Sequence, residues 1–452
     1  MSFSDFSYAG EYNEFRQHEL RKRRLNMVDG NLTANDSSHV GGQSARVYQN
    51  GYWGFASATQ PAGADKLGNL ALANASALQV FGGESRPLPQ QAYQGEHGIA
   101  CQPNWSSEQL IEWLQEVTAL TQNRYEKVVS VTAVALDEYH DKFVQNSLGA
   151  RAYNNISRAL VYLLLTVKDK DDKPVELSHI ISGKGSFGNL DLAMASVEPQ
   201  LDGLYEHLLA KREAVHADGG LQNVVLAPNL AGMLAHEAMG HPCEADLVLG
   251  GAVTGDKRGQ RIASDLITMV DFAHSYNGEE LAVPVYADDE GTPAQDVTLI
   301  KQGVLTDFMH NRETASRFDN SATGNARAYS PDDEPLIRMR NTAILPGTSN
   351  LDDMIADVED GYYLMKTGNG QADTTTEFMF GINLGYEIKD GKLGRAIKDT
   401  TLSGSAIKML QTVDAVSDDM HWESAGYCGK KQPMVVSMGG PAIRAKAQLG
   451  GE

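Results

Sequence analysis

The sequence predicts an α+β protein of two domains, a mixed α and β domain over residues 1–217 and a strand-rich domain over residues 218–452. Three observations lead to this prediction. The chain has 452 residues, more than one hydrophobic core usually spans. Turn dipeptides separate β-prone segments in both halves. A polar stretch at residues 216–220 (HADGG) lies between the halves and marks the boundary.

The N-terminal half combines hairpins with an amphipathic helix. Asp-Gly at residues 29–30 and Asn-Gly at residues 50–51 lie between extended segments, and these dipeptides favour tight hairpin turns. Ser106 and Gln109 have the spacing of a capping box ahead of an apolar helical stripe. The apolar, β-prone run at residues 159–167 predicts a buried strand. This half is therefore predicted to be mixed.

Two prolines near the boundary have different predicted effects. Residues 191–214 have helical character, and Pro199 within them predicts an interruption. Pro228 instead suits the first turn of the next helix, where its missing N–H is not needed.

Beyond Pro228, turns at Gly303 and at residues 390–391 predict two further hairpins. The second half is therefore predicted to be strand-rich.

Composition and charge exclude some classes of function. Hydrophobic residues make up 42% of the chain and charged residues 21%, which is typical of a folded globular protein rather than a disordered one. The formal net charge is −21, and a surface of that sign repels phosphate backbones. We therefore expect no direct binding of nucleic acid, and the basic residues 21–24 are interpreted as part of a solvated strand.

Cysteine usage and the N-terminal sequence indicate a cytoplasmic protein. The three cysteines, Cys101, Cys243 and Cys428, are odd in number and too sparse for a disulfide framework. The first twenty residues lack the basic start and apolar stretch of an export signal. The longest apolar run is shorter than the roughly 20 residues that a membrane span needs. We expect no export signal and no membrane association.

One segment of the second half carries a candidate metal motif. His236, Glu237 and His241 form H-E-x-x-x-H, with one residue more between the histidines than in the zincin motif H-E-x-x-H. In a regular α-helix, positions i and i+5 diverge by roughly 140°. Both imidazoles can reach one metal only if the helix ends or bulges between them. Gly240 and Pro242 flank His241 and suit a helix end.

The residue types around this motif suit hydrolysis by a zinc enzyme. Imidazoles bind zinc well, and Glu237 is placed to accept a proton from a water activated by the metal. The residues alone leave the third ligand open. Cys243, Glu244 and Asp246 are close in sequence, whereas Cys428 is distant. A thiolate is the stronger match for zinc, but proximity favours the local residues.

A resemblance to a known family decides between these candidates. HEAMGHPCEAD at residues 236–246 resembles the HEA-x-G-H-x-x-E-x-D signature of the TldD/PmbA family, the "modulator of DNA gyrase" proteins. YCGKKQPMVVSMGGP at residues 427–441 resembles the C-G-K-x-G-Q segment and Gly-Gly-Pro ending of that family. Four shorter segments also resemble the family: GYWGFAS at 51–57, DDEGTP at 288–293, TGNARA at 323–328 and NTAILPGTSN at 341–350.

The resemblance implies a zinc metallopeptidase. In the family the metal is held by the two histidines and the C-terminal cysteine, which match His236, His241 and Cys428, and Glu237 matches the catalytic glutamate. The chain keeps the metal motif and so resembles the catalytic, TldD-like member. The implied substrates are small unfolded proteins and peptides, including precursor peptides that are trimmed to mature products. The implied assembly is a homodimer or a heterodimer with a family member that lacks the motif.

Several residues depart from the family pattern or have a second interpretation. Lys431 precedes Gln432 where the family has glycine, so the loop backbone is expected to differ. Cys243 is interpreted as a small buried hydrophobe, with a spare metal ligand as the alternative. Glu244 matches the signature and is interpreted as orienting a ligand histidine. The acidic residues 288–290 are interpreted as a solvated turn.

Two other functions are compatible with the sequence. One is a non-catalytic regulator or scaffold with a structural metal, which would normally be closed by four protein ligands. The other is an amidohydrolase that acts on a small metabolite. Coordination number distinguishes the first of these from a peptidase. Competition between peptides and small amides distinguishes the second.

Overall fold

The computed structural model describes residues 10–99 and 101–451. The first nine residues, residue 100 and residue 452 lie outside the described part, and with them the outer limits of both predicted domains. Helices account for 22% of the model and strands for 44%, which confirms the α+β class. The predicted division into domains at residues 217/218 stays a prediction.

The first half of the chain forms one seven-stranded sheet with three α-helices. Its strands follow the order β3-β2-β1-β5-β6-β4, and β7 pairs with the rest of the β6 edge. Every pairing is antiparallel except that of β4 with β6. The elements are β1 Tyr12–Val28, β2 Asn31–Gln49, β3 Tyr52–Ala58, α1 Ala64–Leu78, β4 Gln94–Gly98, α2 Ser107–Arg124, β5 Val128–Asn146, β6 Arg151–Lys168, β7 Pro174–Lys184 and α3 Met194–Arg212.

The second half forms two larger sheets and three strand pairs. One sheet has the order β17-β8-β26-β20-β18-β19 with β21 on β26, and it closes on itself because β17 also pairs with β18. The other has the order β13-β12-β9-β16-β25-β22, and the pairs are β10-β11, β14-β15 and β23-β24. The strands are β8 Gly220–Leu226, β9 Met269–Phe272, β10 Ser275–Tyr276, β11 Glu279–Glu280, β12 Val297–Lys301, β13 Val304–Leu305, β14 Ala326–Arg327, β15 Leu336–Ile337, β16 Asn341–Ile344, β17 Asp360–Ala372, β18 Glu377–Lys389, β19 Lys392–Ala396, β20 Thr400–Ser405, β21 Ala415–Val416, β22 His421–Glu423, β23 Tyr427–Lys430, β24 Gln432–Val435, β25 Ser437–Gly440 and β26 Ile443–Leu449.

Short helices connect these strands. They are α4 Pro228–Met233, α5 Ala245–Leu249, α6 Arg312–Arg317, α7 Leu351–Ala356 and α8 Ala406–Gln411, with a π-helical turn at Leu234–Gly240 and 3₁₀ turns at Gln79–Phe81, Phe187–Asn189 and His241–Cys243. Within the described ranges, no helix is long and apolar enough to cross a membrane.

The four hairpins predicted from turn dipeptides are confirmed. Asp29, Asn50, Gln302 and Asp390 each adopt φ between 47° and 50°, and a left-handed glycine follows each one. These paired positive φ values match the right-handed twist of the flanking strands. Short-range turn chemistry therefore determines where the strands reverse.

The two predicted helices of the first half differ in outcome. Helix α2 begins at the predicted capping box, in which Ser106 accepts from the Gln109 N–H and the Gln109 side chain accepts from the Ser106 N–H. The predicted interruption at Pro199 is wrong, because α3 runs through it. A proline inside a helix costs about 3 kcal/mol. Val197 and Leu201 beside it are buried. Burial of each side chain stabilises the fold by about 1.5–3 kcal/mol, which offsets the cost of the proline.

Candidate metal centre

The metal motif lies on a helix that changes its pitch. Helix α4 begins at Pro228, in the first turn as predicted, and the chain then continues as a π-helical turn over Leu234–Gly240. The backbone N–H of His241 donates to the carbonyl of His236, which is the i→i+5 bond of a π-helix. This wider turn brings residues five apart to one side. The π-helical turn therefore places His236 and His241 on the same side of the helix despite the five-residue spacing of H-E-x-x-x-H.

Gly240 does not end the helix. Its backbone is right-handed helical, with φ −65° and ψ −51°, so the expectation that it ends the helix is wrong. A Cβ atom at Gly240 would lie 2.1 Å from the Sδ atom of Met339, which is fully buried. Glycine is needed here because the helix packs closely against Met339.

We expect Gly240→Ala to lower the free energy of unfolding by about 1–3 kcal/mol, the usual cost of overpacking a core. Gly203→Ala in α3 is the matched control, since a Cβ atom at Gly203 has no neighbour within 4 Å. The control should gain about 0.5–1 kcal/mol from the better helix former. Urea denaturation of both variants measures the difference. Equal effects in the two variants would contradict the close contact with Met339.

Three side chains that can bind a metal lie together. One ligand atom each of His236, His241 and Cys428 falls within 4.8 Å of the others. The Cys428 Sγ atom is 3.1 Å from His241 Nε2, and the two imidazole rings are 5.5 Å apart at 78°. The fold thus brings together all three residues that the resemblance assigned to the metal.

His236 fits a metal for a second reason. Its side chain is fully buried, yet neither ring nitrogen has a hydrogen-bond partner. Burial lowers the pKa of His236 well below its usual value, so the ring is neutral and presents a lone pair. A buried polar group without a partner is costly, and a metal ion held jointly with Cys428 and His241 would satisfy it.

Glu237 lies beside this cluster and remains accessible. Its Oε2 atom is 3.7 Å from His241 Nε2, and 22% of its side chain is exposed. Burial raises the pKa of Glu237, and the nearby Glu244 adds to the rise. A carboxyl with a raised pKa at the edge of a metal site is suited to accept and return a proton.

Glu244 forms a hydrogen bond to His241, and Lys430 in turn contacts Glu244. The fully buried Glu244 accepts from His241 Nδ1 at 3.0 Å and from Lys430 Nζ at 3.0 Å. Although burial raises the pKa of Glu244, His241 and Lys430 lower it further than burial raises it. Lys430 also donates to Asp246 at 2.9 Å. This geometry agrees with the interpretation of Glu244 as a residue that orients a ligand histidine.

Cys428 lies on a short hairpin formed by β23 and β24. Lys431 at its tip has φ 59°, the left-handed conformation that glycine adopts most easily. Lysine thus occupies a left-handed position in this loop, and the expected difference from the loop backbone of the family stays a prediction. Arg338 holds the hairpin by donating to the carbonyls of Cys428 at 2.6 Å and Gln432 at 2.7 Å.

Lys431→Gly should raise the free energy of unfolding by about 0.5–1 kcal/mol. The left-handed conformation costs a non-glycine residue about 1–2 kcal/mol, and glycine avoids this cost. Glycine also loses more backbone entropy on folding, which offsets about half of the gain in stability. Lys392→Gly, on the exposed strand β19 of another hairpin, is the control and should lose about 0.5–1 kcal/mol. Denaturant titration compares them, and a loss at both positions would contradict the strained backbone at Lys431.

Cys243 lies outside the ligand cluster. Its side chain is fully buried in the main apolar core of the second half, and burial raises the pKa of the Cys243 thiol to about 12. A thiol that remains protonated is a poor metal ligand. The position thus favours the interpretation of Cys243 as a small buried hydrophobe.

The acidic segment at residues 288–290 is buried, so its interpretation as a solvated turn is wrong. Asp289 forms an ion pair with Lys142 at 2.7 Å, and Glu290 is paired with Arg46. Burial and the charge of Glu290 raise the pKa of Asp288. The cationic partners come from the first half of the chain, so the local sequence gave no sign of this burial.

Sequence reasoning also missed residues that support the site. Lys430 lies within the C-G-K segment of the family resemblance, which could have drawn attention to it. Arg338 had no local signal, because its partners are some 90 residues away in sequence. Long-range packing places both residues beside the candidate metal ligands.

The fold and the His/His/Cys cluster define an α+β protein with a candidate metal centre on a π-helical turn. Two family models match the chain: the PmbA/TldA metallopeptidase C-terminal domain over residues 219–451 and the PmbA/TldA metallopeptidase domain 1 over residues 14–75. The chain belongs to the TldD/PmbA family.

Relatives match over most of their length. A metalloprotease of Methanothermobacter thermautotrophicus is 30% identical over 98% of this chain and 96% of its own. A zinc metalloprotease TldD homologue of Saccharolobus solfataricus is 28% identical over 76% of each chain. Relatives of this family are thus named as metalloproteases.

Solved structures share the fold at low sequence identity. A Thermotoga maritima protein, named for a proposed role as modulator of a DNA gyrase, is 18% identical, with TM-score 0.78 over 97% of this chain and 96% of its own. TldE of Thermococcus kodakarensis is 17% identical, with TM-score 0.72 over 98% of this chain and 97% of its own. The whole described architecture therefore recurs in other proteins.

Proposed function

We propose that this protein is a zinc metallopeptidase in which His236, His241 and Cys428 hold the metal. The observation that carries the proposal is the fully buried His236, whose two ring nitrogens lack partners and which lies in a cluster with a thiol and a second imidazole. Two nitrogens and one sulfur suit zinc. When bound, zinc supplies a Lewis acid that makes water more acidic and polarises a carbonyl.

Glu237 is the proposed general base. Its carboxylate is partly exposed at the edge of the cluster, so water and a peptide carbonyl can approach it. The carboxylate takes the proton of the attacking water and later returns it to the leaving amine. The raised pKa of Glu237, caused mainly by burial, makes its carboxylate a stronger base for the first of these transfers. Glu244 and Lys430 keep the His241 ring in place during these transfers.

The proposed substrates are small unfolded proteins and peptides, including precursors trimmed to mature products. An extended peptide can add to a sheet edge through backbone hydrogen bonds, which tolerate many sequences. The substrate is proposed to lie along such an edge of the strand-rich second half. The proposed assembly is a homodimer or a heterodimer with a relative that lacks the metal motif, and the similarity to TldE supports the latter.

The cysteines at 101, 243 and 428 are all free, which supports a reducing, cytoplasmic location.

Coordination argues against a purely structural metal. Structural zinc normally has four protein ligands, whereas catalytic zinc has three and an open position. In the described part of the chain, the cluster contains three side chains. A regulator or scaffold therefore has less support than an enzyme. An amidohydrolase for a small metabolite stays a second hypothesis that only substrate competition can test.

Removal of the metal tests the proposed function. We expect a chelator to abolish cleavage of an unstructured, internally quenched peptide, and one equivalent of zinc to restore it. A folded protein of similar sequence should resist cleavage. Peptide binding without cleavage in the zinc-loaded protein would favour the scaffold hypothesis. Hydrolysis of a small amide that peptides do not inhibit would favour the amidohydrolase.

A further inference from the structure

The hairpin that carries Cys428 is too small to be rigid by itself. Strands β23 and β24 contain four residues each and pair only with one another. An isolated two-stranded hairpin is at best marginally stable. A metal ligand needs a position fixed to within about 0.5 Å. Contacts from outside the hairpin must therefore hold Cys428.

Arg158 on β6 makes several of these contacts from the first half of the chain. Its Nη1 atom donates to the carbonyls of Ser424 at 2.9 Å and Gly426 at 2.8 Å. Its guanidinium also lies over the ring of Tyr427, 4.1 Å from the centroid, which is a cation–π contact. One fully buried side chain thus binds three of the four residues that precede Cys428.

Glu138 on β5 completes this connection. Its Oε1 atom accepts from Arg158 Nε at 2.8 Å, and its Oε2 atom accepts from the Tyr427 hydroxyl at 2.7 Å. Glu138 and Arg158 are both almost fully buried, so each charge depends on the other for compensation. The buried Glu138–Arg158 pair therefore connects two neighbouring strands of the N-terminal sheet to the hairpin. This pair and its contacts with the hairpin are called the bracket below.

We propose that Arg158 and Glu138 are positioning residues that hold Cys428 at the metal site. Arg338 contacts the hairpin separately, through the carbonyl of Cys428. The N-terminal sheet then controls the metal affinity of a centre whose ligands all lie in the second half of the chain. This inference rests on the proposed function, in that Cys428 is a zinc ligand.

Two variants of graded severity test the bracket. Tyr427→Phe removes the hydroxyl bond to Glu138 but keeps the ring under Arg158. Arg158→Lys removes the planar guanidinium, which binds Glu138 through Nε and both carbonyls through Nη1. Loss of a residue that supports a ligand weakens metal binding by about 10–100-fold. We expect about 10-fold for Tyr427→Phe and about 100-fold for Arg158→Lys.

The control is Tyr139→Phe on the same strand as Glu138. Its hydroxyl accepts from Asn104 at 2.7 Å, and among the described residues it has no hydrogen bond to the hairpin. Zinc affinity is measured by competition with a chromophoric chelator. The cobalt-substituted proteins are then compared by the charge-transfer absorption of the thiolate. A weakened thiolate band in Tyr427→Phe and Arg158→Lys, with an unchanged band in Tyr139→Phe, supports the positioning role.

Wild-type zinc affinity and an unchanged cobalt spectrum in a folded Arg158→Lys protein would overturn the inference. If Arg158→Lys does not fold, Tyr427→Phe decides by the same two measurements. Peptide cleavage is not needed for either, so a protein that binds zinc but fails to hydrolyse peptides disproves only the proposed activity. A wild-type protein that binds no zinc overturns both proposals.

Discussion

Replacement of Glu237 by glutamine is expected to reduce peptide hydrolysis by about 10²–10⁴-fold, the usual contribution of a general base, while zinc content stays the same. Glutamine has nearly the same shape as glutamate but accepts no proton. Glu237 lies beside the cluster of candidate ligands and does not belong to it. Its loss should therefore affect the chemistry of the site and not its occupancy.

The measurement pairs kcat/KM on a fluorogenic peptide with elemental analysis of the same protein sample. Glu116→Gln is the matched control, because Glu116 is an exposed residue of α2, and it should leave both values unchanged. Unchanged turnover in Glu237→Gln would exclude the proposed role of Glu237. Loss of zinc in the same variant would instead make Glu237 a ligand.

Most of the fold follows from short-range patterns. The hairpin at residues 29–30 and the capping box at Ser106 each depend on residues within one turn of chain, so sequence was sufficient to predict them. The interruption predicted at Pro199 is wrong because the effect of this proline depends on long-range packing rather than on nearby residues. Its effect on α3 depends on how tightly that helix packs on the sheet, and no local pattern contains this information.

The candidate site was predictable in its residues but not in its geometry. The spacing of His236 and His241 required a bulge or an end, and the π-helical turn at Leu234–Gly240 is the bulge; no local pattern distinguishes the two. Cys428 came from the family resemblance, since no spacing rule connects residues so far apart. The bracket from the N-terminal sheet is formed by pairs more than 260 residues apart, which periodicity cannot detect.

Cys428→Ala and His236→Ala are each expected to weaken zinc binding by about 10²–10⁴-fold. Zinc held by cysteine and histidine ligands has a binding free energy of roughly 10–16 kcal/mol. Loss of one ligand in three removes about 3–5 kcal/mol of it, which corresponds to this change in affinity. Cys243→Ala is the matched control and should keep its zinc, because the Cys243 thiol lies in the apolar core.

Elemental analysis of the four proteins, purified identically, distinguishes the possible ligand sets. Near-stoichiometric zinc in the native protein and in Cys243→Ala, lost in the other two, would establish the His/Cys centre. Zinc that survives the loss of Cys428 would move the third ligand to Glu244, whose Oε1 atom is buried without a partner. Absence of metal from every sample, even after zinc is supplied, would exclude a zinc peptidase and would favour a non-catalytic regulator that holds no metal.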